Sequence, residues 1–256
     1  NVLLILFAFI GTIFLSSFSK LVLADENEYV LTNVLNGLIP TTNSKHMIIS
    51  GDSTVPQVSI LHPDSATDGD NSSSNDDSLN TKVIVGEETG GLDNGYSKWE
   101  PVFLQYDFKK IRPVKEIKIY RNTYDNAIST FKDVKVELST SPNFEKDNTS
   151  VVFEKQDIIE SRESKGNPQI ISLDKAIDAQ YIRIWGKGHY IENTNSSWKG
   201  YSNGNLYNEI EVMANVPKSE VPSQPDNIQP RNLASGKLPY VYGLEPSNIE
   251  AITDGK

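Results

Sequence analysis

DVKVELS, from Asp133 to Ser139, and QYIRIWG, from Gln180 to Gly186, alternate apolar and polar residues with a period of two. Val134, Val136 and Leu138 share one side of the first segment and Lys135 and Glu137 the other; in the second, Ile182 and Ile184 oppose Arg183 and Trp185. Successive side chains of a strand point to opposite faces of a sheet, so each segment reads as a strand with one face in a core and one in water. Outward from these two, Phe103 to Phe108, Val114 to Arg121, Val151 to Glu154, Gln169 to Leu173 and Glu209 to Met213 have the same short length and β-branched or aromatic content, bounded by Asn, Gly, Pro and Ser turns. No helix-period segment longer than a turn or two occurs after the first residues. Seven or eight short antiparallel strands in one domain predict an all-β fold, an antiparallel β-sandwich of jelly-roll type. The stretch Asn71 to Gly95, rich in Ser, Asn, Asp and Gly, is too long for an ordinary connection and is expected to be a surface insertion.

The chain has 256 residues, with 24 Lys and Arg against 34 Asp and Glu and a net charge of −10. Nucleic-acid affinity rests on counterion release by clustered basic residues, and here they are scattered among acidic ones, so nucleic acid and anionic membranes are not expected partners. The absence of cysteine removes thiol nucleophiles, CxxC redox pairs, Cys-ligated zinc and disulfides. His46, His62 and His189 are the three histidines, and no HExxH, GxSxG or P-loop accompanies them. Paired carboxylates facing each other across a cleft, as a glycosidase needs, are not suggested by acidic residues on the solvent faces of strands. No catalytic residue is therefore predicted.

Val2 to Leu15 is almost wholly apolar and is followed by Ser16, Ser17, Ser19 and Lys20, then by Val22, Leu23 and Ala24 ahead of Asp25 and Glu26. Residues 1–24 read as a secretory signal peptide with a small-residue cleavage site, and the chain as a secreted or cell-surface protein. The missing initiator Met and basic n-region point to a sequence that starts partway into its reading frame. A secreted chain without cysteine suits a Gram-positive bacterium better than an animal. The main domain is expected over 25–215. Pro217, Pro222, Pro225 and Pro230 among polar residues mark a linker over 216–231. Beyond it NLASGKLP at Asn232 to Pro239 echoes NVLNGLIP at Asn33 to Pro40, and AITDGK at Ala251 to Lys256 echoes SATDGD at Ser65 to Asp70. Residues 232–256 are thus expected to open a second, truncated copy in a tandem array.

The order of the pieces resembles the discoidin, or factor V/VIII type C, domain, whose bacterial members form carbohydrate-binding module family 32. The residues that carry the resemblance are the opening NVLNG, the turn Ala66 to Asp70, Trp99 ahead of Phe103 to Phe108, the strand Val114 to Ile119, the string Gln180 to Ile184 and the closing Asn208 to Val212. It covers about residues 33 to 214 and restarts at Asn232. It implies a non-catalytic glycan-binding module of a secreted bacterial surface protein or glycoside hydrolase, a monomer within a modular chain. Two other readings stay open: the amino-terminal part of a glycosidase acting on host glycans, and an adhesin that contacts protein or lipid.

Trp185, Tyr190, Trp198, Tyr201 and Tyr207 put five aromatics into 23 residues, interleaved with Gly186, Gly188, Gly200, Gly204 and several Asn. Such a stretch reads as a long loop presenting rings to the apolar face of a sugar, with imidazole and amide groups for its hydroxyls. His189, Tyr190, Trp198 and Tyr201 are the predicted contacts, while Trp185 and Tyr207 are open to packing. A second loop, Arg121 to Asn126, adds Arg121, as a hydrogen-bond donor to vicinal hydroxyls or as a salt-bridge partner, and Tyr124. Terminal galactose or N-acetylhexosamine sugars are the expected ligands. The acidic turn with Asp68 and Asp70, set against Glu209, offers the oxygen donors calcium prefers, or else a solvated Asx turn; the resemblance implies a structural calcium ion framed by those segments.

Overall fold

In the computed structural model the described residues are 28–46, 58–71, 80–86, 95–121, 127–160, 167–193 and 199–221. The expected signal peptide, most of the linker and the expected second copy lie outside them. The chain divides into two compact units, 1–218 and 219–256, and the strands among the described residues belong to the first.

The described residues of that first unit form eleven strands: β1 (Tyr29–Asn33), β2 (Thr41–Thr42), β3 (Ile60–Leu61), β4 (Thr81–Ile84), β5 (Val102–Arg121), β6 (Ala127–Ser139), β7 (Thr149–Glu160), β8 (Gln169–Gly186), β9 (His189–Asn193), β10 (Lys199–Ser202) and β11 (Gly204–Pro217). The hydrogen-bonded order is β10-β9-β6-β8-β5-β11-β4-β3, with β1 added on β11, β2 on β5 and β7 on β6. Every pairing is antiparallel. Among the described residues there is no α-helix.

The alternation read from the sequence is the alternation of burial. Leu104, Tyr106, Ile117, Ile119, Val136, Leu138, Ile182, Ile184, Ile210, Val212 and Ala214 are buried in one hydrophobic cluster. A sheet whose strands all bury one face in the same core must fold over on itself, which gives an antiparallel β-sandwich. Two pairs of expected strands are each one long strand. Phe103 to Phe108 and Val114 to Arg121 are halves of β5, and Gln169 to Leu173 and Gln180 to Gly186 are halves of β8. The two bend together at register shifts, between Asp107 and Arg112 and between Val114 and Glu116, without losing their partnership. At the first bend Lys109 is left-handed, with φ 68°, and its N–H donates to Asp107 Oδ1 at 2.7 Å.

Two sequence expectations need correction. Residues 71–95 are not wholly a surface insertion, because β4 lies within them. Thr81 and Val83 are fully buried, and β4 pairs with β11 and β3. The polar residues around it conceal a strand too short to show a period. The stretch from Trp185 to Tyr207 is likewise not a long loop: β9 and β10 form a hairpin in which His189, Tyr190, Ile191 and Glu192 face Ser202, Tyr201, Gly200 and Lys199. Its glycines mimic loop composition, whereas Gly186 and Gly188 are required by close approach. A Cβ at Gly186 would lie 2.5 Å from the Asn205 side chain, and one at Gly188 2.4 Å from the Ser202 carbonyl.

Candidate functional site

The opening NVLNG carries the acidic turn to the last strand. Asn33 Oδ1 accepts from the N–H groups of Leu35 and Val212, at 3.1 and 3.0 Å, and so ties the start of the fold to β11. Gly37, with φ 70°, then donates to the Thr67 carbonyl at 2.8 Å while Thr67 Oγ1 donates back to the Leu38 carbonyl, also at 2.8 Å. These bonds set the turn beside Glu209. Gly69 N–H donates to Glu209 Oε2 at 3.2 Å, and Asp68 Oδ1 accepts from the Asp70 N–H at 2.8 Å. Asp68 and Asp70 are exposed, whereas Glu209 is 1% exposed and its Oε1 is buried with no hydrogen-bond partner. Burial, with added repulsion from Asp68, Glu211 and Asp70, pushes the Glu209 carboxyl up to about 8 against the Gly69 hydrogen bond. The Tyr106 hydroxyl, buried beside Tyr207 and Glu209, is raised as well. A buried carboxylate oxygen lacking a donor, facing an acidic turn, is what an oxygen-seeking cation would relieve. Among the described residues no three His, Asp or Glu side chains converge to hold a metal, so backbone carbonyls of the turn would have to complete such a site.

The predicted sugar contacts separate according to strand alternation. Tyr190 and Tyr201 are directly opposed on the hairpin and half-buried, their ring centroids 5.1 Å apart and nearly perpendicular. Tyr201 also stacks on Tyr96, at 4.1 Å and 13°, and Tyr96 stands edge-on to Trp99 at 5.7 Å. Lys187 Nζ lies 4.5 Å from the Tyr96 ring centroid and 4.0 Å from Asp133 Oδ2. Burial, with the charge of Asp133 next in importance, raises the Tyr96 hydroxyl to about 12. Neither Tyr96 nor Lys187 was singled out from the sequence. The available signal was the spacing of Tyr96 and Trp99, which a 3-10 turn over Tyr96–Lys98 brings to the same side.

His189 and Arg121 are corrections to the predicted contacts. His189 precedes Tyr190, so alternation turns it inward; it is fully buried, and its ring packs 5.3 Å from Phe131. Its Nδ1 lies 2.8 Å from the Gly204 carbonyl. A carbonyl only accepts, so Nδ1 carries the proton. Arg121, at the end of β5, is 6% exposed, donates from Nη1 to Gln169 Oε1 and lies over the rings of Phe131 and Tyr207, at 5.2 and 5.8 Å. Its cation is held inside the fold and stands behind the surface. Tyr207 is 2% exposed and is packing. Trp198 and Tyr124 lie outside the described residues. Trp185 is half-buried on the outward face of β8, donating from Nε1 to Glu137 Oε2 at 2.6 Å.

No protein-family model matches the sequence, and no curated protein matches it. The structure is similar to several solved ones. A family 32 carbohydrate-binding module of C. perfringens NanJ, solved with galactose, is 16% identical with a TM-score of 0.42, covering 72% of this chain and 99% of its own. A chitosan-binding module of a Paenibacillus chitosanase/glucanase is 15% identical at 0.40, over 71% and 98%. A fucose-binding module of Streptococcus pneumoniae is 18% identical at 0.40, over 72% and 95%. Each of these three solved structures, to which this chain is similar, is described as a binding module for a carbohydrate.

Proposed function

We propose that this chain is an extracellular glycan-binding module that holds a sugar and does no chemistry on it. The observation that carries the reading is the half-buried cluster of Tyr190, Tyr201 and Tyr96 flanked by Lys187, in which Tyr96 and Tyr201 rest against the hydrophobic core. Flat rings match the C–H face of a pyranose, and phenol hydroxyls and an ammonium group match its hydroxyl fringe. Trp198, between β9 and β10 in sequence, would add a further ring. Terminal galactose or N-acetylhexosamine is the proposed ligand. His189 and Arg121 serve as buttresses, holding the hairpin and β5 from inside. A calcium ion held by Glu209, the Asp68 to Asp70 turn and its carbonyls would fix that end of the sandwich structurally. A second copy beginning at Asn232 would raise avidity through effective concentration.

The test is a glycan array with the full chain, alongside Tyr201→Ala and Tyr201→Phe. Binding to terminal galactose or N-acetylhexosamine glycans, lost in Tyr201→Ala and kept in Tyr201→Phe, is expected. An array silent for every glycan would overturn the reading.

A further inference from the structure

Beside the tyrosine cluster, an open groove of about 450 Å³ runs across the outer face of the sheet, lined by Pro101, Asp133, Lys135, Glu154, Gln156 and Trp185 among others. Three observations join it to the cluster. Trp185 and Lys187 are two residues apart, Lys187 following directly on the last residue of β8, so that at most about 7 Å of backbone separates them. Lys187 touches both sites, since its Nζ is 4.5 Å from the Tyr96 ring and 4.0 Å from Asp133 in the groove wall. Asp133 itself is held in the left-handed region, with φ 47°, where β6 exchanges β9 for β8 as its partner. A non-glycine residue there costs about 1 kcal/mol or more and is tolerated where the surroundings enforce it.

The row of planar groups does not stop at Trp185. Phe103 stands edge-on to it at 4.9 Å, and the Arg183 guanidinium lies over both Phe103 and Phe144, at 4.3 and 4.0 Å. From Arg183 to Gly186 the strand alone spans about 10 Å, with Lys187 next in the chain, which is longer than one sugar ring. The groove's chemistry favours an uncharged polar occupant. Lys135 is paired with Glu137 at 2.9 Å and Asp133 with Lys187, Glu154 and Lys155 add one charge of each sign, and Glu100 adds one further negative charge. Such a wall offers hydrogen-bond donors and acceptors without a strong net field. One proline, a nearly buried Val134 and one indole, with Lys135 Nζ 4.9 Å from its centroid, are too little apolar area to anchor a hydrophobic peptide, yet the indole suits the C–H face of a pyranose.

We infer that the tyrosine cluster and the Trp185 groove form one continuous site, and that its ligand is a linear oligosaccharide whose terminal sugar sits on the tyrosines while the preceding units lie along the groove. The inference rests on the glycan-binding reading. Its test compares the monosaccharide with the hexasaccharide in two defined series, β-1,4-linked N-acetylglucosamine and β-1,4-linked galactose, by titration calorimetry on the full chain. The hexasaccharide is expected to bind at least tenfold more tightly than the monosaccharide in the series recognised. Trp185→Ala should abolish that difference. Because Trp185 also bonds to Glu137, a second variant is needed: Glu154→Arg with Gln156→Arg fills the groove from two exposed positions and should abolish it too, with an unchanged melting temperature. Equal affinities for the two lengths in the wild type, or a length advantage that survives the double variant, would overturn the continuous site and leave the glycan-binding reading standing. No binding in either series at any length would overturn the continuous site, and together with an array silent for every glycan it would overturn both.

Discussion

Replacing Glu209 by Gln should change how stability depends on pH. The Glu209 carboxyl is buried and titrates at about 8 in the folded chain, against 4.5 for an ordinary glutamate. Between those values the folded state keeps a proton that the unfolded state has released. Stability is therefore fully present below about pH 4.5 and falls as pH rises through the folded value, at about 1.36 kcal/mol per pH unit, for a total of about 5 kcal/mol. For a domain of this size that is about 10–20 °C in melting temperature. The assay is thermal unfolding in EDTA at intervals from pH 4.5 to 9, for the wild type and Glu209→Gln. The wild type should lose stability over this range; Glu209→Gln, neutral throughout, should lose the Glu209 share of that slope. Millimolar calcium should flatten the wild-type profile from its alkaline end, because the ion binds the ionised carboxylate of the native state, and should leave Glu209→Gln much less affected. Parallel profiles for the two proteins in EDTA would refute the burial argument. A calcium response identical in both would remove Glu209 from the cation site.

Three further substitutions separate framework from surface. Gly86→Ala should destabilise the chain by about 1–3 kcal/mol in chemical denaturation, since its Cβ would fall 2.3 Å from Trp99 Cδ1 in a packed interior. His189→Ala should cost about 2–4 kcal/mol by the same measurement, because it leaves a void beside Phe131 and strands the Gly204 carbonyl. Tyr201→Ala should lose about 1–3 kcal/mol from its two ring contacts while glycan binding falls at least tenfold in titration.

Much of the fold was legible because a half-buried strand writes its environment into alternate residues. Val134, Val136 and Leu138, like Ile182 and Ile184, are buried as the period of two required. β4 escaped because four residues are too few to display a period and its neighbours are polar. The hairpin β9-β10 escaped because its glycines, placed to let backbone and side chains approach, have the composition of a loop. That reading put His189 and Tyr190 on one platform, whereas adjacent strand residues point to opposite faces.

The site divides along the same line. An aromatic surplus between Trp185 and Tyr207, an acidic turn at Asp68 to Asp70 and a glutamate at position 209 are properties of the chain as written, and they named the segments of the candidate site. Only the folded sheet decided which side chains meet. It set Tyr96, about a hundred residues before its partner, flat against Tyr201, and placed Lys187 between that cluster and Trp185. It also turned His189 and Arg121 inward and drew the Gly69 N–H onto a buried Glu209. Local sequence dictates the face a residue occupies within its own strand. The residues across from that face depend on sheet order and on bends in long strands, which arise from packing between segments far apart in the chain.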